Sequence, residues 1–363
     1  MKKVQIAIIG CGRVAHHHAK MLIGLDDVEL SCVCDLKDDR AEELGNMYKK
    51  PWYKNYHEML NKEIVDAVVI ATPSGMHPFH AMDIIKHHRK HLIIEKPIVL
   101  RPNDAKKLQF QAKNAGIKIF PIYQNRYNKA VQWVKRTLDD GNLGKILMSS
   151  VRLHWCRPQA YYDRDPWRGT WALDGGALTN QGIHYLDLLQ WLAGDVVTVF
   201  ALKKTQLVNV EVEDMVTGCL EFHNGALGTL EITTAARPKD YEASITLLGE
   251  KGTAILAGIS ANKLVEFTPN PKICSEVTEE FPTVYGFGHR VLLQKVARDL
   301  LGKESYPISL QEATKAINLL NKIYHSTEKN KKVLCINNSL KSSVLGRRNN
   351  KLENLYKTKN NIC

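Results

Sequence analysis

The stretch DGGALTNQGIHYLDLL, residues 174–189, sets an amide, Asn180, four positions before an imidazole, His184, where an apolar run begins. With an ordinary pKa of about 6.5, histidine suits proton transfer near neutral pH. Asn180 cannot take up a proton as a carboxylate could; it orients a ring or a bound group by hydrogen bonds. A second candidate is Lys96 in IIEKP, at the end of an apolar run and directly before Pro97. An ammonium placed there can donate to an oxygen and stabilise negative charge developing on it. A base and a cation together are the groups that acid–base chemistry at an oxygen needs. In isolation His184 would read as a satisfied structural histidine and Lys96 as a surface cation. Their context decides otherwise.

That context starts with GCGRVA, in which Gly10, Gly12 and Ala15 form a GxGxxA pattern between an apolar run and a helix pattern. The first glycine permits a tight turn, the second lets backbone approach a pyrophosphate, and the small third residue allows close helix packing. The helix N-terminus then faces the anion, and Arg13 is placed to reach it. Asp35 closes the second apolar run, about 20 residues on. A carboxylate there binds the adenosine ribose and repels a 2′-phosphate, which favours NAD over NADP. Lys37 reads as solvated. His16, His17 and His18 are adjacent, so they point to different helix faces and form no compact metal site by themselves; we expect no metal.

Cations gather with aromatics further on. Arg126, Arg157, Arg164 and Arg168 lie among Trp155, Tyr161, Tyr162, Trp167 and Trp171, with Tyr127 and Asn128 as further donors. Arginine forks suit carboxylate and phosphate, and an aromatic ring can stack on a base. Any one of these arginines alone would be a surface residue. Asp187 reads as a first-turn acid favoured by the helix dipole.

The elements that must position these residues follow from pattern. VQIAIIG, VELSCVCD, DAVVIATP, HLIIEKP and IKIFPIY read as buried strands, alternating with helices over about Val14 to Leu25, AEELGNMY, PFHAMDIIKHHR and NDAKKLQFQAKNAG. The last is capped by Asn103 or Asp104 and closed by Gly116. This alternation implies a doubly wound parallel sheet over residues 1–122. From residue 123 to 338 the strands are longer and joined by hairpins, with Asn224-Gly225 the strongest turn signal. They imply a second α/β domain with a large, mostly antiparallel open sheet. NKAVQWVKRTLDDG, RVLLQKVARDLLG and the 174–189 stretch are helices covering part of it. If one helix begins at that stretch, Asn180 and His184 share a face, and the helix ends at Gly194. GEKGT is a turn.

The composition, 44% hydrophobic and 24% charged, is that of a soluble globular protein. No apolar run reaches membrane-spanning length. The basic, apolar start reads as a first strand and not as a secretion signal. The eight cysteines show no ligand spacing, so we expect reduced thiols and a cytoplasmic protein. The net charge of +12 fits an anionic substrate; no nucleic-acid motif accompanies it. Residues 339–363, rich in Lys and Asn, read as a basic, polar, flexible tail.

IIGCGRVA, VDAVVIATPSGMH, IIEKPIVL and DGGALTNQGIHYLDLL, in this order, resemble the successive signatures of the Gfo/Idh/MocA oxidoreductases, and the resemblance covers roughly Val4 to Tyr324. It implies a Rossmann domain followed by an α/β domain whose open sheet mediates homo-oligomerisation. It implies catalytic roles for Lys96 and His184; many members carry Asp where this chain has Asn180, which leaves the proton to His184. Contacts to NAD are implied for Gly10, Gly12, Arg13, Val14, Asp35, Thr72, Pro73, His77, Glu95, Lys96 and Gln124. QNRYN, WRGTW and NQGIHYLDLLQWLAG resemble a branch that oxidises the 3-hydroxyl of UDP-N-acetylglucosaminuronic acid with NAD, feeding surface-polysaccharide synthesis. For that substrate Lys96, Arg126, Tyr127, Asn128, Arg157, Tyr161, Arg164, Arg168, Asn180 and His184 are the implied contacts, with Arg168 and Arg126 first for the carboxylate. Other readings are a dehydrogenase of free sugars or inositols, and an NAD-sensing regulator without catalysis. A sensor would need neither Lys96 nor His184.

Overall fold

A computed structural model describes residues 3–336 and 339–358. The chain forms two compact units: Met1–Ile122 with His289–Thr314 and Arg348–Cys363, and Tyr123–Gly288 with Lys315–Arg347.

In chain order the first stretch carries β1 (Val4–Ile9), α1 (Arg13–Leu22), β2 (Val28–Cys34), α2 (Asp38–Tyr48), β3 (Trp52–Tyr53), α3 (Tyr56–Lys62), β4 (Ala67–Ile70), α4 (His77–His88), β5 (His91–Ile94), α5 (Pro102–Ala115) and β6 (Ile119–Pro121). Its strands form one sheet in the order β3-β2-β1-β4-β5-β6, parallel at every pairing. β4 is buried along its whole length, as expected of a parallel strand covered on both faces. The order reverses between β1 and β4, and ligands of such sheets bind at that switch point, outside the carboxyl ends of the strands. α5 begins at Pro102, a residue ahead of the expected cap, because proline is preorganised for the first helical position. β3 and α3 went unread. Two residues are too few to show a strand pattern, and α3 owes its start to the Asn55 side chain, which accepts from the His57 and Glu58 amides.

The chain continues through α6 (Lys129–Asp139), β7 (Ile146–His154), α7 (Gln159–Tyr162), α8 (Ala177–Asn180), α9 (Ile183–Ala193), β8 (Val196–Lys204), β9 (Met215–Phe222), β10 (Leu227–Thr233), β11 (Glu242–Gly249), β12 (Gly252–Ala257), β13 (Lys263–Phe267), α10 (Ile273–Val277), α11 (Gly288–Leu300), α12 (Leu310–Lys329), β14 (Val333–Leu334) and α13 (Asn350–Asn354). Eight strands form the second sheet, β13-β12-β11-β7-β10-β9-β8-β14, antiparallel except where β7 meets β10. Asn224-Gly225 closes the β9–β10 hairpin and GEKGT the β11–β12 hairpin. Along β10, Gly228, Leu230 and Ile232 are buried, while Leu227, Thr229 and Glu231 are exposed. This period of two gives the sheet a packed face and an open face.

Three expectations change. The second region is not continuous: the chain returns to the first unit at His289, which places α11 from that residue on in the first unit. The 20-residue α12, unread from the sequence, joins the second unit from Lys315. Residues 339–358, expected as flexible tail, bury Ser342, Leu345 and Glu353, and Asn349 caps α13 by accepting from the Leu352 amide. Glu328 anchors this segment by accepting from Ser342 and Ser343. Its few apolar and capping residues escape a composition-based reading. The rest of the expected tail, 359–363, lies outside the described residues.

Candidate active site

The glycine turn fits a dinucleotide. Gly10 has φ 90°, and a Cβ there would lie 2.8 Å from the Ala71 carbonyl, so no larger residue fits. A Cβ at Gly12 would meet nothing within 4 Å, which leaves open space in front of the α1 N-terminus. No acidic residue stands in that first turn, as suits an anion at a helix N-terminus. Arg13 is exposed there and Val14 half-buried. The Asp35 carboxylate accepts from the Cys11 amide at 2.7 Å and the Lys37 amide at 2.8 Å. Burial raises its pKa and these two bonds oppose the rise. A carboxylate offers about four lone-pair sites, so acceptors remain for ribose hydroxyls.

Beyond β4, the Thr72 hydroxyl meets His80 Nδ1 at 3.0 Å, and Pro73 opens a short 3₁₀ turn. His77 is buried with its ring nitrogens 2.9 Å from the Thr72 carbonyl and 2.8 Å from the Pro97 carbonyl. It ties the end of β4 to the EKP loop through these two backbone carbonyls. Burial lowers its pKa. Glu95 is buried and accepts from His18, His289 and the Lys96 amide. Lys96 is half-buried at the end of that loop.

His184 stands in the first turn of α9 and is 7% exposed. The helix expected to hold it together with Asn180 is broken. α8 ends at Asn180, and α9 starts at Ile183 after Gln181 and Gly182. Gly182 is pressed against its surroundings, with a Cβ there 2.7 Å from the Leu178 carbonyl. Asn180 Nδ2 donates to Asp174 Oδ1 at 2.5 Å, and Asp174 Oδ2 accepts from the Gly169 amide at 2.8 Å. Glu213 lies beneath the paired glycines. Its Oε1 accepts from the Leu178 amide at 3.1 Å and from Tyr324 at 2.8 Å, while Tyr324 also meets Thr179 at 2.8 Å. A Cβ at Gly176 would sit 2.0 Å from Glu213 Oε2. Burial pushes the Glu213 pKa up to about 7. Sequence reading missed Asp174, Glu213 and Tyr324. Asp174 had a signal, its place directly before the glycines. Glu213 in VEVED and Tyr324 in a helix pattern had none.

The arginines divide. Arg126 is no candidate for a substrate carboxylate: Asp187 accepts from its Nε at 2.7 Å and its Nη2 at 2.6 Å, and both residues are buried. Asp187 is therefore the other half of a buried fork, not a dipole-compensating acid. Asn128 is buried too and donates to the Ser260 carbonyl at 2.7 Å. Tyr127, half-buried, and Gln124, buried, stand in one 3₁₀ turn. Arg157 and Arg168, by contrast, stack on rings. Arg157 lies 4.9 Å from the Trp155 ring and 5.7 Å from that of Tyr161. Arg168 lies 4.5 Å from Tyr161 and 4.6 Å from Trp167. Arg157 donates to Asp240 at 3.0 Å, whereas the Asp165 carboxylate is 3.8 Å from Arg168 Nε. Arg164 is exposed. Trp171 is outside this wall, with the Lys203 ammonium 4.0 Å from its ring centre. Gln181 donates to the Tyr161 hydroxyl at 3.4 Å, which joins the wall to the segment carrying Asn180 and His184.

The parallel sheet, the glycine turn and the Asp35 carboxylate define an NAD-binding oxidoreductase. The chain belongs to the Gfo/Idh/MocA family: residues 4–123 match its oxidoreductase domain with NAD-binding Rossmann fold, and residues 131–255 its C-terminal domain. It is similar to the WlbA dehydrogenase of Bordetella pertussis, solved with NADH and UDP-GlcNAcA, at 34% identity and TM-score 0.87 over 92% of this chain and 98% of that one. The WlbA dehydrogenase of Chromobacterium violaceum, solved with the same two ligands, gives 33% and 0.86 over 92% and 96%. The myo-inositol 2-dehydrogenase of Thermotoga maritima is 26% identical over 257 residues, 69% of this chain and 74% of that protein.

Proposed function

We propose that the protein oxidises the 3-hydroxyl of UDP-N-acetylglucosaminuronic acid to the 3-keto sugar, in the cytoplasm, as a step toward diaminated uronic acids of surface polysaccharide. The observation that carries this reading is the Arg157–Tyr161–Arg168 stack, hydrogen-bonded through Gln181 to the segment bearing His184. Stacked guanidinium groups suit a pyrophosphate and a carboxylate, and a free polyol offers them neither. Likeness to two dehydrogenases solved with UDP-GlcNAcA supports the reading. The inositol dehydrogenase relative favours a second one, a free polyol as substrate.

Bound NAD supplies the hydride acceptor. Asp35 holds its ribose, and the Gly12 turn and α1 N-terminus take its pyrophosphate. His184 receives the hydroxyl proton. Asn180, fixed by Asp174, orients the sugar. Lys96 donates to the reacting oxygen and stabilises the charge that develops there. Arg168, whose nearest carboxylate stands off at 3.8 Å, takes the uronic carboxylate.

NADH formation is the test, with UDP-N-acetylglucosaminuronic acid, UDP-N-acetylglucosamine and myo-inositol at matched concentrations. The uronic acid should react fastest, and Arg168→Ala should slow it much more than it slows the neutral nucleotide sugar. Equal rates for the two nucleotide sugars would reject carboxylate recognition. Faster oxidation of inositol would establish the polyol reading instead. His184→Ala and Lys96→Ala should each keep NADH affinity and lose about 10²–10⁴-fold in turnover.

A further inference from the structure

Glu95 ends the strand run that carries Lys96, and it is 3% exposed. Its two oxygens have different partners. Oε1 accepts from His18 Nε2 at 2.7 Å and from His289 Nε2 at 3.2 Å. Oε2 accepts the backbone N–H of Lys96 at 3.1 Å. His18 comes from the middle of α1 and His289 from the first turn of α11, and both have 0% exposure. The His289 ring also meets the rings of His17 and His18 edge-on, at 4.8 and 4.9 Å. Segments from three distant parts of the sequence thus close on one carboxylate.

A carboxylate taken out of water is costly unless hydrogen bonds replace its hydration. Burial alone would raise the Glu95 pKa; the two imidazole donors outweigh it and hold the group well below the usual carboxylate range. The ionised group then has one use visible in the geometry. Since Oε2 takes the amide proton of the next residue, the position of the carboxylate fixes the peptide plane from which the Lys96 side chain starts. The three facing atoms lie within 4.8 Å of one another, a spacing that also calls a cation to mind. But the 2.7 Å Nε2···Oε1 separation is that of a hydrogen bond. It is shorter than the roughly 3.3 Å between neighbouring ligands around tetrahedral zinc with bonds of about 2.0 Å.

We propose that His289 and His18 are positioning residues for Lys96, acting through Glu95 to fix the backbone that aims its ammonium. The proposal rests on the reading of Lys96 as the group that stabilises charge on the substrate oxygen. His289 is the more telling of the two, because nothing in the local sequence of the EKP loop or the glycine turn announces it.

A double-mutant cycle tests this, with turnover, KM, NADH affinity by fluorescence and thermal midpoint measured on each purified full-length variant. His289→Leu should lower kcat by about 10-fold or more, since small misplacements of a catalytic group have effects up to about 10²-fold, and should leave NADH affinity within about twofold. His289→Gln, whose amide can still donate to Oε1, should recover most of the rate. In a Lys96→Ala background, His289→Leu should change the residual rate by less than about twofold, because residues acting as one unit are non-additive. Should the leucine variant fail to fold, His289→Asn, whose shorter amide falls away from Oε1, takes its place in the cycle. Additive losses, or wild-type kcat in His289→Leu while Lys96→Ala is inactive, would overturn the positioning role and leave the reading of Lys96 standing. Normal turnover in Lys96→Ala alone would remove that reading, and the proposal with it.

Discussion

Arg126 and Asp187 carry opposite charges into a region with little access to water, and two parallel hydrogen bonds of 2.7 and 2.6 Å compensate them. Breaking such a pair costs more than replacing it. Arg126→Met or Asp187→Asn should each lose about 3–5 kcal/mol, read from urea unfolding, because either leaves a buried charge or its fork unpaired. The double replacement Arg126→Met, Asp187→Leu should lose less than either single change. A double variant as unstable as the sum of the two would show that each group is held by something besides the other. Asp35 offers a second test at this scale. Its carboxylate holds the Cys11 and Lys37 amides and lies near the expected ribose. We expect NADH to bind more tightly than NADPH, and Asp35→Ala to narrow that gap in fluorescence titrations. A wild-type preference for NADPH would refute the role.

At the scale of elements, the break between α8 and α9 matters more than either helix. Asn180 is fixed by Asp174 from one side, and Glu213 holds the α8 start through the Leu178 amide and Tyr324. The fully buried Glu213 makes stability pH-dependent. Its folded pKa, about 7, lies above the ordinary glutamate value of 4.5. The folded state therefore binds the proton more tightly than the unfolded chain. Stability from this group is fully present below about pH 4.5 and falls as pH rises to about 7, by an order of 3 kcal/mol. Glu213→Gln should flatten that decline when urea unfolding is compared at pH 5 and pH 8. An unchanged slope would mean that Glu213 ionises in the folded protein as readily as in water. Gly176→Ala should disturb the same place, since the added Cβ would fall 2.0 Å from Glu213 Oε2.

Over the whole molecule, the open face of the eight-stranded sheet stands out. Leu147, Met148, Phe200, Leu202, Leu227 and Leu248 are exposed on its strands. Apolar area gathered on one face marks an interaction surface more often than scattered residues do. We expect a second copy of the chain to cover it. Leu227→Glu with Phe200→Lys should lower the mass seen by light scattering while NADH binding persists. A wild-type protein that is already monomeric at micromolar concentration would end this reading. No described helix is long and apolar enough to cross a membrane, and the described cysteines, Cys11, Cys32, Cys34, Cys156, Cys219, Cys274 and Cys335, are all free.

Periodicity and local chemistry determined much of this protein from the sequence alone. Continuous apolar runs marked the parallel strands, the glycine spacing marked the dinucleotide turn, and Asn224-Gly225 marked a hairpin of the second sheet. All of these are short-range signals, in which each residue's role depends on neighbours a few positions away. The tertiary structure alone decided the partners. Arg126 looked like a ligand cation until Asp187 was found 61 residues away in sequence, closing its fork. Glu95 takes a donor from His289, 194 residues on, which no local pattern marks. The Asn180–His184 helix and the flexible tail escaped local pattern too: the Gly182 amide bonds back to the Ala177 carbonyl at the break, and a few buried side chains hold residues 339–358. A buried charge needs an opposite or donating group within about 3 Å, and which residue supplies it is settled by the fold and not by spacing along the chain.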